Sequence, residues 1–265
     1  FLLFILLGYS MIEGNFSEAL VFLFAPKFSD LSSEGILSAL GHAFFTLSIG
    51  MGAVMAYGAY LSSEASIIKT SIAVVMMDTA IAILAGLVIF PIVFAHGLDP
   101  AEGPGLIFQT IPIAFGQLPG GRIIATVFFL LLTFAAWTSG IALMESPVAW
   151  LMETTGLERR KTAIFVGMAI WMLGLLSVLS FNELSDIELL WGTFFDSFDY
   201  LTANIMLPLG GFAIAIFTGW FMSANSTSDE IDTSVSGVYR MWRISARFIA
   251  PIAVLLIFLN AIGIV

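Results

Sequence analysis

The sequence predicts an all-α polytopic membrane protein, and three observations carry that prediction. Mean hydropathy is +1.03. Only 11% of the 265 residues are charged, where a soluble domain of this length carries far more. Apolar runs long enough to cross a bilayer recur along the chain. The chain has no cysteine, which excludes disulfides, thiolate metal sites and cysteine nucleophiles. His42 and His96 are its two histidines and cannot build a metal cluster alone. The formal net charge of −10 resides mainly in connecting segments. The nine Lys and Arg form no aromatic-rich basic face, so no nucleic-acid partner is expected.

Seven apolar segments follow in order. The first, residues 1–11, opens with FLLFILLGYS, has no basic leader and no small-residue cleavage site, and so reads as a helix entered partway, in a fragment of a longer protein. The others are 37–61, 67–94, 123–150, 162–179, 201–222 and 244–265. Polar breaks separate them: SSEASIIK, AHGLDPAEGPG, TTGLERRK and SANSTSDEIDTSVSG, rich in the glycine and serine of loops. Residues 106–116, between Pro104 and Pro119, are expected to form a short helix over the outer mouth. Lys69, Arg159, Arg160, Lys161, Arg240, Arg243 and Arg247 fall on one alternate set of connections, and only Lys27 and Arg122 on the other. Seven against two orients the chain by the positive-inside rule, with 37–61 entered from outside. A multi-pass position in the inner (plasma) membrane is expected.

Within these spans a few polar groups stand at membrane depth. Ser48, Gly50 and Gly52 interrupt 37–61 as SIGMG, where glycine weakens a helix. A break would expose carbonyls and N–H groups able to hold a cation and a carboxylate; close helix packing by small residues is the alternative. Asp78 is a lone carboxylate in AVVMMDTAIAILAG, either ionised beside a bound sodium ion or protonated and bonded to a neighbouring helix. Thr46 could add its hydroxyl to the same ion. Thr138 and Ser139, in AAWTSGIALMESP, offer oxygen to a hard cation or bond back to their own helix. Glu145 could pair within the bundle, and Glu153 could line an inner gate or cap its span. Asp196 and Asp199 stand at the outer mouth, before Pro208, Gly210 and Gly211, which allow a bend. Tyr57 and Tyr60 fit an interfacial aromatic belt.

Taken together, FFTLSIGMGAVMAYGAY, the Asp78 helix, AAWTSGIALMESP and TFFDSFDYLTANIMLPLGG resemble the prokaryotic members of the neurotransmitter:sodium symporter family. The resemblance covers essentially the whole chain and implies a partial inverted-repeat fold with a discontinuous helix, in one transmembrane domain fragment, 1–265. Residues 1–36 would be the end of the family's fifth helix and an outer loop, and 37–61 its broken sixth helix. Residues 62–222 would be helices seven to ten, with an outer loop at 95–122, and 223–265 an inner loop and helix eleven. The N-terminal helices of the same transporter would be missing.

The resemblance further implies sodium-coupled symport of an amino acid, hydrophobic or aromatic, by alternating access, and no enzymatic activity. Phe45 would be an aromatic lid, Ser48 would lie at the substrate-binding break, and Met51 would shape the side-chain pocket. Gly52, Ser139 and Leu143 would complete the substrate site, with Gly140 leaving space beside it. Thr46 and Asp78 would serve one sodium ion; the Ala135 carbonyl, Thr138 and Ser139 a second. Ala82 stands where relatives carry a chloride-linked serine or its acidic substitute, which leaves chloride use open. Tyr60 and Glu153 resemble the inner-gate network, and Asp199 the acid of the outer gate, with Asp196 a competing alignment. A ligand-sensing membrane receptor and an inactive structural fragment lacking half of the substrate site are the alternatives.

Overall fold

A computed structural model describes residues 1–62, 64–98, 100, 103–231 and 236–264. Parts of three predicted loops (63; 99, 101 and 102; 232–235) and residue 265 lie outside them. The regular secondary structure of the described residues is helical, with one isolated bridge between Leu189 and Gly192. In chain order the helices are α1 (Leu2–Glu13), α2 (Phe16–Phe24), α3 (Ser33–Thr46), α4 (Ala53–Gly58), α5 (Ile67–Ala95) and α6 (Leu106–Gln117). They continue as α7 (Gly121–Thr155), α8 (Arg159–Leu179), α9 (Phe194–Phe221), α10 (Ala224–Ile231) and α11 (Gly237–Ala261).

Five of these, α5, α7, α8, α9 and α11, are long and apolar enough to cross a membrane. The first two predicted spans differ from that count for separate reasons. The first ends at Glu13 after 12 residues. The second divides into α3 and α4, each too short to span alone. The expected outer helix is present as α6, somewhat longer than its predicted core.

The chain forms two compact units: Phe1–Leu31 with Ala73–Gly140, and Ser32–Ile72 with Ile141–Val265. In the first, Leu6 of α1 is buried with Val88, Ile92 and Val93 of α5, Ile111, Ala114 and Phe115 of α6, and Phe128 of α7. Pro91 organises this unit. It has no N–H for the carbonyl four residues back, and its ring crowds the preceding turn. The end of α1 bonds α5 beside that defect, at carbonyls other than the one of Leu87 that the proline leaves without a donor. Ser10 Oγ, fully buried, donates to the Val88 carbonyl at 2.7 Å, and the Asn15 N–H donates to the Pro91 carbonyl at 2.8 Å. Gly14 lets the chain reverse there, since a Cβ would lie 2.7 Å from the Pro91 Cβ. Asn15 then caps α2 by accepting from the Glu18 N–H, and Phe22 packs against Phe90 and Phe94.

The second unit is built on α9 and α11. Thr193 and Asp196 cap the start of α9 reciprocally, each side chain accepting from the other's backbone N–H. Wide π turns occupy Tyr200–Met206 and Phe217–Phe221. Leu207 and Phe212 of α9 pack with Phe44 of α3, Met51, and Val254 and Ile257 of α11. At the far end of α9 two arginines of α11 close its last carbonyls. Arg247 Nε donates to Gly219 at 2.6 Å and Arg243 Nη2 to Met222 at 2.9 Å. The Trp220 indole donates to the Arg247 carbonyl at 3.1 Å while the guanidinium lies 5.7 Å from the ring centre. Part of the basic charge expected to orient the chain therefore also terminates a helix.

Replacing Ser10 by alanine removes the buried bond that ties α1 to the Val88 carbonyl of α5. Thermal unfolding of the detergent-purified protein should show a loss of ~1 kcal/mol, and an unchanged midpoint would reject this role.

Candidate functional site

The helical break is the structural centre of the predicted site. Ser32 starts α3 by accepting from the Gly35 N–H at 2.9 Å. Its end, at Thr46, closes with two bonds running backward: Ser48 N–H to the Phe45 carbonyl at 2.9 Å and Ile49 N–H to the Phe44 carbonyl at 3.2 Å. This is a Schellman closure, which needs a left-handed residue just past the helix and usually uses glycine. Here the residue is Ser48, at φ 53, the one non-glycine residue with positive φ among the described residues. Gly50 (φ 97) and Gly52 (φ 79) turn the chain further, and α4 begins at Ala53. Side chains resist those two conformations, so this is where the glycines are required. The predicted break is present at SIGMG, with the serine inside it as well as the glycines.

The unit that holds the break also holds Phe45, Thr46, Ser48, Met51, Gly52, Leu143, Tyr60, Glu153 and Asp199. Phe45 and Leu143 are exposed, whereas Met51 and Gly52 are half-buried. Ser146 of α7 stands against Gly52: a Cβ there would meet its hydroxyl at 3.4 Å. That hydroxyl is buried without a hydrogen-bond partner. Sequence reasoning did not single it out, because one serine in a long helix has no distinguishing spacing.

Tyr60, just past α4, donates to Glu145 Oε1 at 3.0 Å. Glu145 also receives both guanidinium nitrogens of Arg159, at 2.9 and 2.8 Å, in a bidentate pair. Its side chain is 14% exposed and that of Arg159 60%. Tyr60 thus meets Glu145 rather than Glu153, which lies exposed further along α7. The pairing expected of Glu145 is present, and its partners on α8 and beyond α4 are tertiary facts. At the start of α9, Asp196 is engaged in capping, bonding Thr193 Oγ1 at 2.8 Å and Thr193 N at 3.0 Å. Asp199 is exposed one turn on.

The other unit holds Asp78, Ala135, Thr138 and Ser139. Asp78 is half-buried on α5. Thr138 Oγ1 lies 3.0 Å from the Ala135 carbonyl and 3.0 Å from that of Phe134, so it bonds back within α7. Two predicted oxygen ligands are therefore adjacent, and Ser139 follows on the same exposed turn. Oxygen donors of this kind suit a hard cation. Among the described residues no three His, Asp or Glu side chains converge as a metal site.

The model of the Sodium:neurotransmitter symporter family matches residues 1–264. A Bacillus subtilis protein described as the uncharacterized sodium-dependent transporter YhdH is 37% identical over 268 residues, covering 100% of this chain and 59% of that protein. An uncharacterized sodium-dependent transporter of Haemophilus influenzae is 32% identical over 244 residues, 92% of this chain and 53% of its own length. Among solved structures, that of MhsT in complex with L-phenylalanine matches with a TM-score of 0.87 and 43% identity, over 98% of this chain and 59% of that one. The chain thus spans little more than half the length of the relatives it matches.

Left-handed strain at Ser48 costs roughly 1–2 kcal/mol, against about 0.5–1 kcal/mol of extra chain entropy for glycine. Ser48→Gly should therefore leave thermal stability unchanged or raise it by up to ~1 kcal/mol, while Ser48→Val should lower it. The opposite order in thermal unfolding would show that Ser48 is not held left-handed.

Proposed function

The chain belongs to the sodium:neurotransmitter symporter family, and we propose that it serves sodium-coupled transport of an amino acid by alternating access. The family is one of multi-pass membrane transporters rather than enzymes. The observation that carries the proposal is the break between α3 and α4, with its strained serine. A left-handed non-glycine residue persists where the surrounding structure holds it, and such residues cluster at ligand-binding sites. The Ser48 hydroxyl and the backbone groups freed at the break supply donors and acceptors for an α-amino acid's charged ends.

In this reading Phe45 covers the substrate, and Met51, Gly52, Ser139 and Leu143 shape its pocket. A hydrophobic or aromatic side chain suits Met51 and Leu143, with the space left by Gly140, and the related MhsT was crystallised with L-phenylalanine. Thr46 and Asp78 serve one sodium ion. The Ala135 carbonyl, Thr138 and Ser139 serve a second. For that ion to bind, the Thr138 hydroxyl turns its oxygen lone pairs to the cation, and the Ala135 carbonyl accepts the cation in place of the hydroxyl proton. Asp78 contributes a negative charge, and Ala82 offers no hydroxyl to chloride, so transport without chloride is proposed. Tyr60, Glu153 and Asp199 are the gate residues. N-terminal helices of the same transporter would complete the substrate site. Coupling needs no covalent step: sodium and substrate favour one conformation because they bind it more tightly than the other.

The complete transporter, reconstituted in liposomes, should accumulate labelled L-phenylalanine under an inward sodium gradient. Equal uptake with potassium in place of sodium would overturn the proposal, and saturable binding without flux would identify a receptor instead. Asp78→Ala should weaken sodium-dependent binding at least tenfold; unchanged sodium dependence would reject its assignment.

A further inference from the structure

The connector 47–52 and α9 meet backbone to backbone. A Cβ on Gly50 would lie 2.8 Å from the Gly211 nitrogen and strike the Leu207 carbonyl. A Cβ on Gly210 would strike the Gly50 carbonyl oxygen and lie 3.3 Å from its carbon. On Gly211 it would enter the ring of Phe44, at 2.9 Å from Cε2 and 3.3 Å from Cε1. Three glycines thus let two chains approach more closely than any side chain permits. The contact joins the last turn of α3 and the connector to one short stretch of α9, Leu207 to Gly211. That stretch follows the wide turn Tyr200–Met206 and includes Pro208, so its own helical bonding is already altered. Phe44 and Leu207 are buried there with Val254 and Ile257 of α11, which ties the seam to a third helix.

We propose that Gly210 and Gly211 are positioning residues for substrate binding: through this seam α9 sets the backbone of the Ser48–Gly52 connector. The inference rests on the reading that this connector carries the substrate site. The physical reason is the stiffness of the obstacle. A methyl group at position 210 meets a peptide carbonyl, which can yield only if the connector shifts. A methyl group at 211 meets an aromatic ring, which a smaller side chain at 44 would relieve. The two positions therefore differ in a way that mere helix destabilisation does not reproduce. Gly174 of α8, where a Cβ would meet nothing within 4 Å, supplies the neutral comparison.

The test uses sodium-dependent binding of labelled L-phenylalanine to the complete transporter, with dissociation constant and number of sites measured separately. Gly210→Ala should weaken binding at least tenfold without lowering the number of sites per folded molecule, and Gly174→Ala should change neither. Gly211→Ala should also weaken binding, and adding Phe44→Leu should restore it, whereas Phe44→Leu should not restore Gly210→Ala. Loss of sites at unchanged affinity would overturn the proposal. If Gly210→Ala does not fold, the Gly211→Ala and Phe44→Leu pair decides alone, and absence of restoration overturns it. If the wild-type transporter binds no amino acid, the transport reading fails, and the seam is read by thiol labelling. The chain has no cysteine of its own, so Ile49→Cys reports the connector in a background freed of any other thiol. Gly211→Ala should change its labelling rate at least threefold and Phe44→Leu should reverse the change; an unaltered rate overturns the seam itself.

Discussion

The interruption of one apolar helix after Thr46 is the constraint on which the rest depends. A backbone that leaves the helix at membrane depth must find partners for its polar groups, because lipid offers none. The chain meets that requirement in two ways. The Schellman bonds at Ser48 and Ile49 return two N–H groups to the end of α3. Gly50 then lays the connector directly on α9, with Gly210 and Gly211 removing the side chains that would hold them apart. The helix is thereby interrupted along a defined backbone path.

The same rule governs the other departures from regular helix. Pro91 disrupts α5 inside the first unit, and Ser10 and Asn15 bond the carbonyls beside it. The end of α9 leaves carbonyls that Arg243 and Arg247 reach from α11. Glu145 is held by Tyr60 and Arg159 together. In each case the bonded groups come from different elements of the chain. Truncating one therefore acts on its partner's element as well as on its own.

Much of the architecture was legible from sequence because bilayer thickness imposes a length on every spanning helix. The five long helices and the outer helix Leu106–Gln117 follow from runs of apolar residues and their polar punctuation. The break was legible too, since SIGMG has little reason to stay helical. Thr138 is instructive in another way. Of its two readings the structure displays the local one: its bonds to Phe134 and Ala135 are those of an ordinary back-bonded threonine. Asp196 and Asp199 were indistinguishable as acids near a helix start until the reciprocal bonds with Thr193 engaged the first in capping.

By itself, then, the sequence determined the class of fold, the place of the helical break, the oxygen-bearing groups at membrane depth and the family to which they point. Those properties depend on hydropathy, spacing and local backbone preference, all of which are written along the chain. Tertiary structure alone decided that Ser48, and not only glycine, takes the left-handed position. It also decided that Glu145 joins Tyr60 to Arg159, that the Ser146 hydroxyl lies unpartnered against Gly52, and that the connector rests on Gly210 and Gly211. The last three are meetings between elements far apart in the chain. Such a meeting leaves no periodicity in either segment, because what selects the residue is the space its distant neighbour leaves.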